Sequence, residues 1–126
     1  MSAIAQARNQ MAEAQAVLTK AVTRAADRLA LPRSVLAKIL GLSPATVTPL
    51  YAGAYRLEQQ RKEWELALLF VRLFRSLDSL VGDEATAKTW LNSENRGLNA
   101  KPIDLIPHTE GLVRVVQYLD AARSIL

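Results

Sequence analysis

The first 30 residues of the chain contain neither proline nor glycine, which strongly restricts how they can fold. From Ser2 to Ala30 the segment is rich in the helix formers Ala, Gln, Arg and Glu. One long helix, or two abutting ones, is therefore predicted. Its apolar residues recur at steps of three, four and seven and form one stripe: Ile4, Met11, Leu18, Val22, Ala25, Ala26 and Leu29. This stripe is thin before Leu18, so the sequence leaves open whether residues 1–17 are ordered, fray, or pair with a second copy.

A helix-turn-helix pattern follows the long helix. The second helix is predicted to begin after Pro32, with Ser34 as its N-cap, and to close at Gly41. The third has Pro44 at its first position and Ser43 as its cap. The predicted shared core consists of Leu36, Leu40, Leu42, Val47 and Leu50, with Ala37 at the crossing of the two helices. A simple αα-hairpin with the same core is the alternative.

The start of the third helix decides whether such a motif reads DNA, because its polar side chains must reach base edges in the major groove. Pro49 lies inside this helix, where it removes a backbone hydrogen bond and crowds the carbonyl of Ala45, so it should kink or shorten the helix. Weak or strongly salt-dependent DNA binding is therefore expected. The residues predicted to face DNA are Arg33, Lys38, Ser43, Ala45, Thr46, Thr48 and Arg56, with Arg61 and Lys62 as further phosphate contacts.

Positive charge is concentrated in the first half of the chain. Residues 1–62 hold nine Lys and Arg against three acids, a net charge of +6, whereas residues 63–126 hold seven against nine, a net charge of −2. Only the first half thus has the charge to approach a polyanion. A basic, solvated face that aids solubility is the alternative.

The second half is predicted to be helical as well. A helix over 62–81 is apolar on more than one face, which is typical of a central core helix or of a subunit interface. Gly82 ends it, and Asp83 caps a helix over 84–91. After an irregular stretch, 103–106 is predicted to form one helical turn, and Thr109 to cap a last helix with Leu112, Val115, Val116, Leu119 and Leu126 on its apolar side. The predicted fold is all-α, with an N-terminal helix-turn-helix bundle over 1–62 and a small helical domain over 63–126.

Catalysis, metal binding and cofactor binding are not expected. The chain has no Cys and a single histidine, His108, which is expected to be exposed or to cap a helix. The acids are scattered over predicted helix surfaces, and there is no nucleophile elbow or glycine-rich phosphate loop. We therefore predict a protein that is not an enzyme. The longest apolar run, over 66–71, is too short for a membrane span, and no secretory signal is recognisable, so a cytoplasmic location is expected.

The second half contains an ordered series of residues that begins with the apolar run over 65–82. It continues with Trp90-Leu91, Asn95, Leu98, Pro102-Ile-Asp-Leu-Ile106, Thr109-Glu-Gly-Leu112, Val115 and Tyr118-Leu-Asp120. This series resembles the Xre/MbcA/ParS family of antitoxins. The resemblance covers roughly residues 20–126 and includes an Xre-type helix-turn-helix. The sequence differs from the usual family pattern at Glu94, where Pro is frequent, and at Asn99-Ala100, where a Gly pair is frequent.

This resemblance implies an antitoxin of a bacterial type II toxin–antitoxin module that binds and neutralises a RES-domain toxin, which consumes NAD. It further implies a homodimer, and a complex with the toxin that represses its own operon. The residues that match the toxin-binding domain are Trp90, Leu91, Asn95, Leu98, Pro102, Leu105, Thr109, Glu110 and Gly111. The last helix, through Tyr118, Asp120 and Arg123, would then lie at the toxin's NAD pocket, while a C-terminus that merely packs on its own domain is the alternative. A stand-alone, dimeric helix-turn-helix regulator of transcription is the other function that the sequence supports.

Overall fold

A computed structural model describes residues 2–125 and consists of α-helices joined by short connections. The helices are α1 (Ala3–Arg28), α2 (Arg33–Leu40), α3 (Pro44–Tyr51), α4 (Lys62–Val81), α5 (Glu84–Leu91), α6 (Pro102–Leu105) and α7 (Thr109–Ser124). Within the described range 2–125, the only β-type pairing is one isolated antiparallel bridge between Asn95 and Ala100. The all-α prediction is therefore confirmed. None of these helices is both long enough and apolar enough to cross a bilayer.

The N-terminal segment forms one continuous helix. The hydroxyl of Ser2 caps α1 by accepting a hydrogen bond from the N–H of Ala5 at 3.1 Å. Residues 3–17 are thus helical, whereas Met1 lies outside the part of the chain that the structure describes. The helix buries its C-terminal half against the rest of the chain through Leu18, Val22, Ala25 and Ala26.

Helices α2 and α3 pack as the helix-turn-helix pattern predicts. Gly41 ends α2 in the left-handed conformation with φ +69°, which favours glycine. The predicted core residues Leu36, Ala37, Leu40, Val47 and Leu50 are all buried, while Leu42 is partly buried. The predicted cap Ser34 is wrong: Pro32 is the N-cap, because its carbonyl accepts from the N–H groups of Val35 and Leu36 and so starts the helix earlier.

Helix α4 is the centre of the fold. It packs against α1, α2, α5 and α7, most extensively against α7. Its buried residues include Leu66, Ala67, Phe70, Val71, Leu73 and Leu77. Leu68 is an exception, because 49% of its surface remains exposed. The prediction of a central core helix is confirmed, although one part of its apolar surface is uncovered.

The C-terminal helices begin and end at recognisable signals. Gly82 ends α4 with φ +79°, and the carboxylate of Asp83 caps α5 by accepting from the N–H of Thr86 at 2.7 Å. Hydrogen bonds from the backbone and the hydroxyl of Thr86 lower the pKa of Asp83. The helical turn α6 begins at Pro102, one residue earlier than predicted, because proline suits the first helical position.

The start of α7 corrects a second predicted cap. Thr109 is the first residue of the helix and not its N-cap, because the carbonyl of His108 accepts from the N–H of Leu112 at 2.8 Å. The apolar side of α7 is buried as predicted through Leu112, Val115, Val116 and Leu119. Leu126, which was assigned to the same side, lies outside the described residues.

Candidate functional site

The connection between α5 and α6 is held rigidly against α7. The side-chain oxygen of Asn95 accepts from the N–H of Leu98 at 3.1 Å, and the N–H of Asn95 donates to the carbonyl of Ala100 at 3.1 Å. From α7, Arg114 donates to the carbonyl of Leu98 at 2.7 Å. The ring of Tyr118 stacks on that of Trp90, with centroids 6.3 Å apart. Asn95 therefore organises this loop, and α7 fixes it in place.

Three residues of this region have backbone requirements that explain their identity. An added Cβ at Gly111 would lie 2.0 Å from the carbonyl oxygen of Leu105, and one at Gly97 would lie 2.5 Å from Cε2 of Tyr118. Both positions therefore need glycine for close approach. Asn99 has φ +55°, a left-handed conformation that Asn tolerates better than most residues, so it can stand where the family often has glycine.

The residues of the toxin-binding motif divide into a buried and an accessible group. Leu91, Leu98, Pro102 and Gly111 are buried within the chain. The partly buried members are Trp90, Asn95, Leu105, Tyr118 and Asp120, and the exposed members are Thr109, Glu110 and Arg123. The buried group shapes the surface from beneath, while the other residues form the surface that a partner can touch.

A polar cluster joins the end of α7 to α4. The buried hydroxyl of Ser76 donates to the carboxylate of Asp120 at 3.0 Å and accepts from the guanidinium of Arg123 at 3.1 Å. Arg72 forms an ion pair with the same carboxylate. These contacts fix the direction in which α7 ends, and they leave an open depression beside Ser124. Sequence spacing gave no signal for this cluster, since Ser76 and Asp120 are 44 residues apart.

The other candidate surface is the outer side of α3. Ala45 and Thr48 are exposed, and the hydroxyls of Ser43 and Thr46 bond to each other at 2.8 Å instead of to the backbone. Pro49 lies inside the helix, which ends two residues later, and its carbonyl accepts from the N–H of Ala54 at 2.8 Å. The helix therefore continues past Pro49, and the structure neither ends α3 at this residue nor shows that it shortens the helix.

Basic residues surround this surface, but they are not equivalent. Both Lys38 and Arg33 are exposed, but the guanidinium of Arg33 also stacks on the ring of Tyr51, 4.2 Å from its centroid. Burial and the nearby Asp27 carboxylate raise the pKa of Tyr51, which Arg33 opposes. The remaining predicted contact, Arg56, lies at the rim of a cavity of about 260 Å³ between α1 and the segment after α3. The predicted phosphate contacts Arg61 and Lys62 are exposed and pair with Glu58 and Glu65, respectively.

The loop between α3 and α4 is anchored by a buried carboxylate that the sequence did not reveal. Glu63 is only 5% exposed, and its Oε2 accepts from the hydroxyl of Tyr55 at 2.6 Å and from the N–H of Glu58 at 2.9 Å. Burial and this hydrogen bond raise the pKa of Tyr55 to about 12. Leu57 is fully buried, and its carbonyl accepts from Gln15 of α1. The loop therefore couples the helix-turn-helix unit to α4.

Substituting Tyr55 by phenylalanine should lower the free energy of unfolding by about 1–2 kcal/mol, because Glu63 loses a hydrogen bond while remaining buried. The folded-state pKa of Tyr55 lies above its unfolded value of about 10. The stabilisation by Tyr55 is therefore intact below pH 10 and is lost as the pH rises towards 12. Urea unfolding of both proteins over this pH range measures the difference. Tyr118→Phe is the control, since its hydroxyl has only a 3.5 Å contact, and an equal effect in both variants would contradict the prediction.

Together, the geometry defines a helical protein with a helix-turn-helix unit at its N-terminal side and a rigid helical unit at its C-terminal side. Residues 10–72 match the family model of the antitoxin Xre-like helix-turn-helix domain, and residues 76–124 match that of the antitoxin Xre/MbcA/ParS C-terminal toxin-binding domain. The chain belongs to this family and is a toxin–antitoxin system antitoxin. No curated protein matches it. Helix α4 runs through the junction of the two matched segments.

Proposed function

We propose that this antitoxin neutralises a RES-domain toxin that consumes NAD by covering the toxin's active site with the C-terminal end of α7. Neutralisation of this kind requires no chemistry from the antitoxin. It requires an apolar anchor, a few oriented polar groups and a rigid support, so that little conformational entropy is lost on binding. The domain match to a toxin-binding domain supports the general role, and the geometry at the end of α7 supports this particular surface.

The observation that carries the proposal is the exposure of Ile125 at the end of α7, whose last turn the polar cluster fixes to α4. Ile125 is 84% exposed and so offers a large apolar side chain that a partner can cover. Arg123 is exposed as well, and its direction is set by the hydrogen bond to Ser76. The end of α7 thus carries an accessible apolar residue and an oriented cation on a helix that α4 holds in place.

The buried motif residues have a supporting role in this proposal. Leu91, Leu98 and Gly111 set the position of α7 and of the loop before α6. Removing the helix after Tyr118 would not isolate the toxin contact, because Leu119 is only 1% exposed and contributes to the core. Point substitutions at accessible positions are the better test.

The proposal is tested by co-expressing the protein with the product of the neighbouring open reading frame. Growth, cellular NAD and co-purification are followed together. A stable complex with preserved NAD is expected. NAD loss or toxicity without complex formation would contradict the proposal and favour a stand-alone regulator.

The helix-turn-helix unit supports a second role, autorepression of the operon by a homodimer or by its complex with the toxin. Exposed cations near α3, Lys38 and Arg56, suit contact with phosphates, whereas the short α3 offers only small side chains for base contacts. We therefore propose operator binding that depends strongly on salt. A stand-alone dimeric DNA-binding regulator is the alternative function, and the basic surface is the observation that favours it.

Lys38→Ala should reduce the slope of log affinity against log salt by about one, because one phosphate contact is lost. Arg33→Ala should do the same and also lower the free energy of unfolding by about 0.5–1 kcal/mol, since its stacking on Tyr51 is lost. Fluorescence anisotropy with operator DNA at several salt concentrations measures the slope. Lys101→Ala, an exposed cation of the second half, is the control. Absence of binding at low salt would contradict the DNA-binding role.

A further inference from the structure

A cavity of about 260 Å³ lies between α1 and the segment that ends α3. Three parts of the chain contribute to its lining: α1, the end of α3 and the loop that follows, with Ala16, Lys20, Leu50, Tyr51, Tyr55 and Arg56 among the residues. We refer to it as the α1/α3 cavity. Its volume is close to the lower end of the range of small-molecule sites, about 300–1,000 Å³, so a small ligand can enter it.

The cavity carries positive charge that has no partner within the chain. Lys20 and Arg56 both line it and both are exposed. Within residues 2–125, neither side chain forms an ion pair or donates a hydrogen bond. None of the described lining residues is acidic. Two unpaired cations at one cavity without an acid favour an anionic ligand.

Two carboxylates adjoin the tyrosines of the cavity, but neither lines it and both have partners. Glu63 is buried and accepts from the hydroxyl of Tyr55 at 2.6 Å. Asp27 lies next to Tyr51, where the guanidinium of Arg33, stacked on the same ring, opposes its charge. The unpaired charges at the cavity are therefore the two cations.

The remainder of the lining offers apolar surface. Leu50 is buried at the end of α3, and the partly buried Tyr51 and Tyr55 contribute aromatic side chains. An inorganic anion would use the cations alone. A ligand with both an anionic group and a planar apolar part would use the cations and the aromatic surface together, which is the usual composition of a small-molecule site.

We propose that the α1/α3 cavity binds a small organic phosphate, with the phosphate group at Lys20 and Arg56 and a planar apolar part against Leu50, Tyr51 and Tyr55. A phosphate suits these cations because its oxygens accept several charge-assisted hydrogen bonds at once. A phosphate of the DNA backbone has the same charge, but it would leave the apolar lining unused.

Binding of this ligand is independent of toxin neutralisation, but it has a consequence for DNA. Arg56 is also a proposed phosphate contact of the helix-turn-helix unit, so the ligand and operator DNA should compete for it. This competition alone rests on the proposed function. The cavity would thereby give a small molecule control over operator binding.

Titration of the isotope-labelled full chain with phenyl phosphate, followed by amide chemical shifts, tests the site. The ligand is added to about 10 mM, because a compound of this size binds weakly. The amides of Lys20, Gly53 and Arg56 should shift, and the dissociation constant should be at least about tenfold lower than for inorganic phosphate or for phenol, each of which offers one of the two features. Equal affinity for phenyl phosphate and inorganic phosphate would overturn the ligand class. Shifts confined to other parts of the chain would overturn the site.

Three substitutions separate the cavity from general attraction to a basic protein. Lys20→Ala and Arg56→Ala should each raise the dissociation constant about tenfold, because a charge-assisted hydrogen bond is lost. Ala16→Phe, at an exposed lining position, should weaken binding at least about tenfold without changing the charge, because the larger side chain fills the cavity. Arg8→Ala is the control, since it removes the same charge from α1 about 18 Å from Lys20 along the axis. Equal weakening by Arg8→Ala would overturn the proposal.

Operator DNA distinguishes the two possible sources of the phosphate group. Phenyl phosphate should lower the affinity of the wild type for the operator but not that of Ala16→Phe, with inorganic phosphate at equal ionic strength as the control. If the operator shifts the amides of Lys20 and Arg56 while phenyl phosphate does not, the cations serve the DNA backbone and the proposal is overturned. Absence of operator binding would contradict the DNA-binding role, while the titration with phenyl phosphate still decides the cavity.

Discussion

Replacing Gly111 by alanine is expected to lower the free energy of unfolding by about 3 kcal/mol or more and to abolish protection against the toxin. The new Cβ would lie 2.0 Å from the carbonyl oxygen of Leu105 and 3.0 Å from its Cα. Both contacts are with backbone, which cannot rotate away as a side chain can. Helices α6 and α7 would have to separate, and this separation would disrupt the packing of the C-terminal domain.

The matched control for this substitution is Gly53→Ala. Gly53 has φ +76° but no atom within 4 Å of an added Cβ, so alanine there should cost only about 1–2 kcal/mol of backbone strain. Urea unfolding measures both variants, and growth in the presence of the toxin measures protection. Equal destabilisation by the two substitutions would contradict the close approach of α6 and α7.

Ile125→Asp is expected to weaken the complex with the toxin at least about thirtyfold, with little change in the free energy of unfolding. The side chain is 84% exposed, so the folded chain loses few contacts. In the proposed complex, by contrast, a buried apolar anchor would be replaced by a charge that loses its hydration on binding. The affinity is measured by titration calorimetry with the purified toxin.

Ala16→Asp is the control for Ile125→Asp, because it introduces the same charge at an exposed position on α1. It should leave the affinity unchanged. If Ile125→Asp binds the toxin as tightly as the wild type does, the end of α7 is not the contact surface, and Arg123→Ala should then leave the affinity unchanged as well.

Much of the fold could be predicted from the sequence because its signals are local. The bounds of α4 and α5 agree with the prediction, since Gly82 and Asp83 carry unambiguous end and cap signals. The caps Ser34 and Thr109 were wrong for a shared reason. In both cases the carbonyl of a preceding residue, Pro32 or His108, starts the helix, and a polar side chain is not needed there.

The candidate site could be predicted only in part. The ordered motif revealed which residues belong to the toxin-binding domain, but it could not separate the buried Leu98 from the exposed Glu110, because both occur in one motif. The contact of Ser76 with Asp120 and the burial of Glu63 depend on tertiary packing. Such contacts leave no periodic signal in the chain.

Inhibition of the purified toxin's NAD consumption tests the central claim most directly. The rate is measured while this protein is added at several NAD concentrations. Covering of the active site predicts that turnover falls to the uncatalysed background and that higher NAD increases the amount of protein required for half inhibition. A stable complex in which NAD consumption continues would contradict the account.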